Sequence, residues 1–139
     1  MNGGTRKSEF VRAYFRYNAR HLETDSWAYE ELFFKTQREP DEAWPIILQL
    51  IDAAISKVGL NVIAAGPLEE LMQTHGAKML LTVKQEAMKN ARLMYCLSCF
   101  ISSKEPVFSE LRALVKASGI TWHSPVEGVS EGNELELPE

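Results

Sequence analysis

A chain of 139 residues with 45% hydrophobic and 24% charged positions is sized for one globular domain with its own core. Its formal net charge of −4 argues against non-specific nucleic-acid binding by the whole surface. Two cysteines, Cys96 and Cys99, are too few for a disulfide scaffold, no apolar stretch approaches the roughly 20 residues of a membrane span, and Met1 to Lys7 lack the apolar core of a secretory signal, so the expected setting is a reducing cytoplasm.

The periodicity is helical almost throughout. Ser8 is placed to cap a first helix carrying Val11, Tyr14, Phe15 and Tyr17, and Thr24 or Asp25 to cap a second whose apolar face is Trp27, Leu32, Phe33 and Phe34. Pro40, Asp41 and Glu42 suit the first turn of a third helix, because proline costs little there and acids oppose the macrodipole. Ile47, Leu48, Ile51, Ile55 and Val58 continue it in three- and four-residue steps, with Gly59 to end it.

Leu60 to Ala65 forms a short apolar segment that Gly66-Pro67 is expected to interrupt. Pro67 then opens a short helix with Glu69 and Glu70 in its first turn, His75 in its last and Gly76 as its C-cap. Ala77 to Met88 follows, with Met79, Leu80, Val83 and Ala87 inward. Asn90 caps a helix of Leu93, Met94, Leu97, Phe100 and Ile101. Ser103 or Lys104, Glu105 and Pro106 open the last helix, which Gly119 closes after Val107, Phe108, Leu111, Leu114 and Val115. The expected fold is all-α: a single-domain bundle or stack of about seven short helices over residues 1–123. Residues 124–139 read as an acidic, flexible tail on which Leu135 and Leu137 are able to dock.

Charge is unevenly spread. Residues 1–20 hold Arg6, Lys7, Arg12, Arg16 and Arg20 against Glu9 alone, whereas residues 124–139 hold Glu127, Glu131, Glu134, Glu136 and Glu139 and no basic residue. The two ends can pair with each other or with partners.

The ordered pieces Ser26-Trp27-Ala28-Tyr29-Glu30-Glu31-Leu32, Glu39-Pro40-Asp41-Glu42-Ala43-Trp44, Ile46-Ile47-Leu48, Ala64-Ala65-Gly66-Pro67-Leu68-Glu69-Glu70-Leu71-Met72 and Thr74-His75-Gly76 resemble an uncharacterised bacterial domain family. That family is marked by an A-G-P-L-E-[DE]-L-L motif followed by H-G, and Met72 stands where leucine is usual. The resemblance spans roughly residues 20–120 and implies a bacterial, mostly helical protein. It carries no activity to transfer.

Four groups of residues invite a chemical reading. Glu69, Glu70 and His75 suggest an acid/base pair or a metal site. Glu70 and His75 are five positions apart and Glu69 and His75 six, whereas paired ligands on a helix want three or four, so capping explains them better. Cys96-Leu97-Ser98-Cys99 is a C-x-x-C, but it lacks a second ligand pair and lies inside an apolar helical run, so it reads as core. Arg12, Arg16 and Arg20 recur every four residues as one stripe, suited to a phosphate or acidic partner and more simply a solvated face. Trp27 and Trp44 read as core, while Trp122 is open. No nucleotide-binding loop, serine elbow or Asp-rich metal loop is present.

The leading expectation is a non-catalytic, cytoplasmic protein-binding module. One version is an immunity-type protein that neutralises a toxin or enzyme, with Glu30, Glu31, the Glu69/Glu70 turn and the tail offering carboxylates to a basic protein partner. The alternatives are a small enzyme using Glu69, Glu70 and His75, and nucleic-acid or phosphate binding through Arg12, Arg16 and Arg20. No cofactor, metal, membrane or catalytic residue is expected.

Overall fold

The helical periodicity becomes seven α-helices in a computed structural model that describes residues 2–99 and 106–138, with side chains described from residue 9. They are α1 (Asn2–Arg20), α2 (Ser26–Arg38), α3 (Pro40–Ala53), α4 (Lys57–Ile63), α5 (Glu69–Ala87), α6 (Ala91–Ser98) and α7 (Pro106–Ser118). The fold is all-α. Among the described residues the one extended pairing is a parallel bridge between Ser56 and Ser130. Phe100, Ile101, Ser103, Lys104 and Glu105 lie outside the described residues.

The first helix begins upstream of Ser8, so Ser8 is an interior position and not a cap. Extending a helix costs far less than nucleating one, which makes an early start inexpensive. The helix stops at His21, whose φ of 56° is left-handed and whose N–H donates to Tyr17 O at 2.8 Å. A non-glycine residue there carries strain of about 1 kcal/mol. The edge contact of the His21 and Tyr17 rings, 5.8 Å between centroids, helps to hold it.

Asp25 precedes α2 but makes no side-chain cap; its carboxylate takes the Arg16 guanidinium instead. The buried face of α2 is Ala28, Leu32 and Thr36. Trp27, Phe33 and Phe34, expected inside with Leu32, are 42%, 47% and 51% exposed. Small side chains at 28 and 36 let α2 come close to its neighbours, and the bulky rings are left outside.

Pro40 opens α3 as expected, but Ala54 is extended and ends the helix before Ile55 and Val58. Ser56 caps the next helix, accepting the Gly59 N–H at 3.1 Å, so Gly59 lies inside α4 and does not terminate α3. The core gathers Phe15, Leu32, Ile47, Leu50, Ile51, Leu60, Ile63, Leu71 and Phe108 from six of these helices, with Leu68 from the turn between α4 and α5. Trp44 joins it at its edge.

The largest departure is at Gly66-Pro67. The chain does not break there. It passes from α4 through a π-helical turn, Ala64–Leu68, directly into α5. In this wide turn the Glu69 N–H reaches Ala64 O, five residues back, and Pro67 lies inside the turn, where it donates no backbone bond. The expected division near Gly76 is present as a kink: α5 leaves helical geometry at His75 (φ −128°, ψ 23°) and a second helical run continues to Ala87, although Gly76 itself does not take the left-handed conformation of a cap. Gly76 is buried because α7 crosses it; a Cβ there would lie 2.9 Å from Val107 Cγ1. Local signals hold farther on: Asn90 Oδ1 accepts the Leu93 N–H, and Gly119, at φ 80°, follows the end of α7.

The segment from Ser124 lies along the body. Ser130 N–H donates to Ile55 O and Lys57 N–H to Ser130 O, both at 2.9 Å. Val126 is buried, and Leu135 and Leu137 pack partly against the core. Arg92 ties this segment down. Its Nη1 donates to Ile51 O, Asp52 O and Ala54 O at 3.1, 3.0 and 2.7 Å, while Nη2 lies 3.4 Å from Glu127 O and 3.5 Å from Gly128 O. One guanidinium thus satisfies the carbonyls at the end of α3 and holds the tail over them. Gly128, at φ 76°, is required there, since a Cβ would stand 2.8 Å from Arg92 Nη2.

Candidate functional site

The π-turn sets the direction of the two acids that follow it. Glu70 is turned toward α2 and half-buried: Thr36 Oγ1 lies 3.5 Å from its Oε2 while donating to Phe33 O at 2.8 Å. Burial raises the Glu70 carboxyl above its usual range, the neighbouring Glu69 adds to this, and Thr36 partly offsets it. The Tyr14 and Tyr29 hydroxyls are held above their ordinary range, by burial first and then by the charge of Glu70. Glu70 therefore faces the aromatic cluster of α1 and α2, where the Tyr14 and Tyr29 rings stack at 6.3 Å.

His75 has a different partner. Its Nε2 is 2.9 Å from Gln37 O, near the end of α2, so that nitrogen carries the proton and satisfies a carbonyl the helix leaves open. The bend in α5 is what aims the ring there. Glu70 and His75 thus reach successive residues of α2 without touching each other, and Glu69 reaches neither. Neither of the two clefts described below includes any of the three. Among the described residues no three His, Cys, Asp or Glu side chains gather to hold a metal ion.

The arginine stripe is divided. Arg16 forms a two-pronged pair with the buried carboxylate of Asp25, Nε to Oδ2 at 3.2 Å and Nη2 to Oδ1 at 2.9 Å. That hydrogen bonding holds the Asp25 carboxyl below the usual carboxylate range. Arg12 and Arg20 on either side are exposed. The stripe's middle member joins α1 to the turn before α2 and leaves two separated surface charges.

The outward side of α2 is more continuous. Trp27, Glu30, Glu31, Phe34 and Arg38 recur at three- and four-residue steps and share one face. Trp27 leans edge-on against Phe10, with centroids 5.8 Å apart, and the Arg38 guanidinium lies 5.5 Å from the centre of the Phe34 ring. Glu30 and Glu31 are exposed and form no ion pair among the described residues, whereas Lys35 beside them is engaged by Glu39 and Glu42. Periodicity marks Trp27, Phe33 and Phe34 as apolar without saying which arc is inside. The spacing of Trp27 to Glu31 to Phe34 was the available signal that rings and acids share a side.

Two clefts open among the described residues. One, of about 530 Å³, lies between α5 and α7 and is lined by Met72, Thr74, Gly76, Leu80, Val107 and Glu110 among others. The other, of about 420 Å³, is lined by Asn61, Ala65, Tyr95, Ser98, Cys99 and Trp122. Cys96 is wholly buried beside it, its thiol directed at Leu60 O, and burial pushes that thiol well up. Cys99 is partly exposed; burial raises its thiol too, against smaller opposing effects of Ser98, Tyr95 and Lys57. Neither is an activated thiolate.

The fold defines a small all-α domain. The chain belongs to the family of unknown function DUF6869, which matches residues 16–118. The matched span runs from Arg16 to the end of α7 and takes in α2, the π-turn and His75; Arg12, Trp122 and the tail lie beyond it. No match was found among the curated proteins or the solved structures. No helix among the described residues is long and apolar enough to cross a membrane.

Proposed function

We propose that this domain is a non-catalytic protein-binding module and that the outward face of α2 docks a basic segment of a protein partner in the cytoplasm. The observation that carries this reading is the single solvent-facing arc of Trp27, Glu30, Glu31 and Phe34, with both rings about half exposed and both acids unpaired among the described residues. Exposed aromatic rings anchor interfaces, and flanking carboxylates steer a cationic partner and fix its register. The Arg38 guanidinium over Phe34 shows that this face accommodates a cation against a ring. The acids at Glu70, Glu131 and Glu136 contribute less, because each has a neighbour within the chain. A toxin or enzyme with a basic working surface, neutralised by this contact, is the form of partnership this face suits.

The test is capture from native-host lysate on the immobilised protein, followed by calorimetric titration of the purified partner against Phe34→Ala and Glu30→Lys/Glu31→Lys variants. Phe34→Ala is expected to stay within about 0.5 kcal/mol of the parent in stability, as a surface change should, and to weaken binding by about 10-fold or more. The double lysine variant is expected to slow association and to abolish its salt dependence. A partner that binds both variants with unchanged affinity would place the contact elsewhere.

A further inference from the structure

The cleft between α4, the π-turn, α6 and the turn at Trp122 lies apart from the α2 face and is built differently. Its volume of about 420 Å³ falls in the range of small-molecule sites, roughly 300–1,000 Å³. The wide turn of the Ala64–Leu68 π-helix places Ala65 on its wall, so a methyl group stands where a longer side chain would fill the space. Interruptions of this kind in helices are concentrated at functional sites.

The opposite walls are held in place. Tyr95 is 2% exposed, and the Lys57 ammonium lies 5.3 Å from its ring centre. The same ammonium is bonded to Glu131 at 2.9 Å and lies 3.4 Å from Trp122 O. A nearly buried lysine therefore ties the tyrosine wall, the tryptophan turn and the tail together. Its charge is matched by Glu131, so the cleft presents no net attraction to an anion. The Tyr95 hydroxyl, pushed up to about 12 chiefly by burial, stays a neutral donor and acceptor.

Trp122 stands at the mouth, 62% exposed, with its indole against the His123 ring at 3.7 Å. The polar groups on the wall are few and oriented. The Cys99 thiol lies 3.0 Å from Asn61 Oδ1 and 3.4 Å from Tyr95 O, so its one proton is shared between the two acceptors. Asn61 lines the cleft, and its amide nitrogen has no hydrogen-bond partner among the described residues. An apolar slot with one aromatic wall, one aromatic gate and an amide donor in its lining suits a flat neutral ring bearing an acceptor.

We propose that this cleft binds a small, neutral, planar heteroaromatic molecule, whose ring lies against Trp122 and whose carbonyl or ring nitrogen accepts from Asn61. The site depends on the π-turn and on the Lys57 clasp, and it is independent of the partner surface on α2.

The experiment titrates 2-quinolone, a neutral bicyclic lactam, into the full chain while amide and indole resonances are recorded. The expected result is saturable shifts of the Asn61 side-chain amide, the Trp122 indole N–H and the backbone of Ala65, Ser98 and Cys99, with the Trp27 and Trp44 indoles unmoved. Ala65→Leu, a change at an exposed position, fills the slot and is expected to weaken binding by about 10-fold or more. Asn61→Leu removes the donor and is expected to weaken it by about 5- to 10-fold. Both variants should retain the parent's spectrum away from the cleft. No shift at millimolar quinolone, shifts spread equally over all three indoles, or saturation unchanged by Ala65→Leu would each overturn the proposal. The α2 variants above serve as the independent control, because their loss of partner binding should leave quinolone binding intact.

Discussion

Gly76 offers the sharpest quantitative test of how α5 and α7 meet. An alanine Cβ at this position would lie 2.9 Å from Val107 Cγ1, 3.0 Å from Cγ2 and 3.2 Å from Cβ. Rotating the valine does not relieve this, because all three atoms are near and its own Cβ is fixed by the backbone. Glycine to alanine inside a helix gains about 1 kcal/mol of propensity. Forcing a methyl into a filled contact costs about 1–3 kcal/mol. The net expectation for Gly76→Ala lies between no change and a loss of about 2 kcal/mol, at roughly 4 °C per kcal/mol in Tm for a chain of this size. Urea titration of Gly76→Ala, Val107→Ala and the double variant closes the cycle. The double variant should recover most of the Gly76→Ala loss, since Val107→Ala vacates the space the new methyl needs. Stabilisation by Gly76→Ala would show that α7 does not cross there. An equal loss in both backgrounds would point to a backbone requirement at position 76, as a C-cap would impose, and would equally refute the packing argument.

Glu70 has a folded-state pKa raised mainly by burial, so the folded chain binds its proton more readily than the unfolded chain. Stability from this group is present below the unfolded pKa of about 4.3 and is lost as pH rises through the higher folded value; Glu70→Gln should raise Tm at neutral pH and lose that advantage near pH 4. Asp25 has the opposite sign: its carboxyl is lowered, first by the Arg16 hydrogen bond, so its contribution is present above the unfolded pKa and falls away as pH drops through the folded one. Thermal melts of Asp25→Asn should therefore lie below the parent at neutral pH and converge with it in acid; parallel curves would remove the Arg16 pair from the account. Arg92→Met, which removes the donor to three α3-end carbonyls and frees the tail, should cost about 2–3 kcal/mol. In that variant the Ser130 and Lys57 amides should exchange much faster with deuterium, and unchanged protection would show that the tail is held without Arg92.

What could be read from the sequence was whatever a few adjacent residues decide. Asn90 three before Leu93 and Gly119 past a helix end are local signals, and each acts as its chemistry says. The all-α character followed from three- and four-residue spacing, which survives large errors in helix boundaries. The orientation of α2 did not follow, because that helix has apolar residues on more than one arc. Ala28, Leu32 and Thr36 occupy the inner arc at four-residue steps. The preference for small residues there reflects close approach to α1 and α5, which no local window contains. Arg92 went unnoticed for the same reason: its carbonyl partners lie about 35 to 41 positions away. The separation of Glu69, Glu70 and His75 was legible from spacing. Their actual partners, Thr36 and Gln37 among them, depend on where α2 lies.

The Ala65–Met72 run shows why a correct local rule can lead to the wrong junction. Proline after glycine usually ends a helix, because the ring clashes with the carbonyl four residues back and the missing N–H breaks the ladder. A π-turn removes both objections at once: widening the turn draws the earlier carbonyl away from the ring, and the shifted hydrogen bonds leave one amide position unused. The helical path therefore continues, and the extra residue changes its phase. Ala65 before the proline faces the cleft beside Tyr95 and Cys99, while Glu70 after it faces Tyr14, Tyr29 and Thr36. A plain helix stop would have left the directions of α4 and α5 free to be set by a loop. A single continuous element with one wide turn couples them, so the wall of the cleft and the contact of α5 with α2 are fixed by the same eight residues.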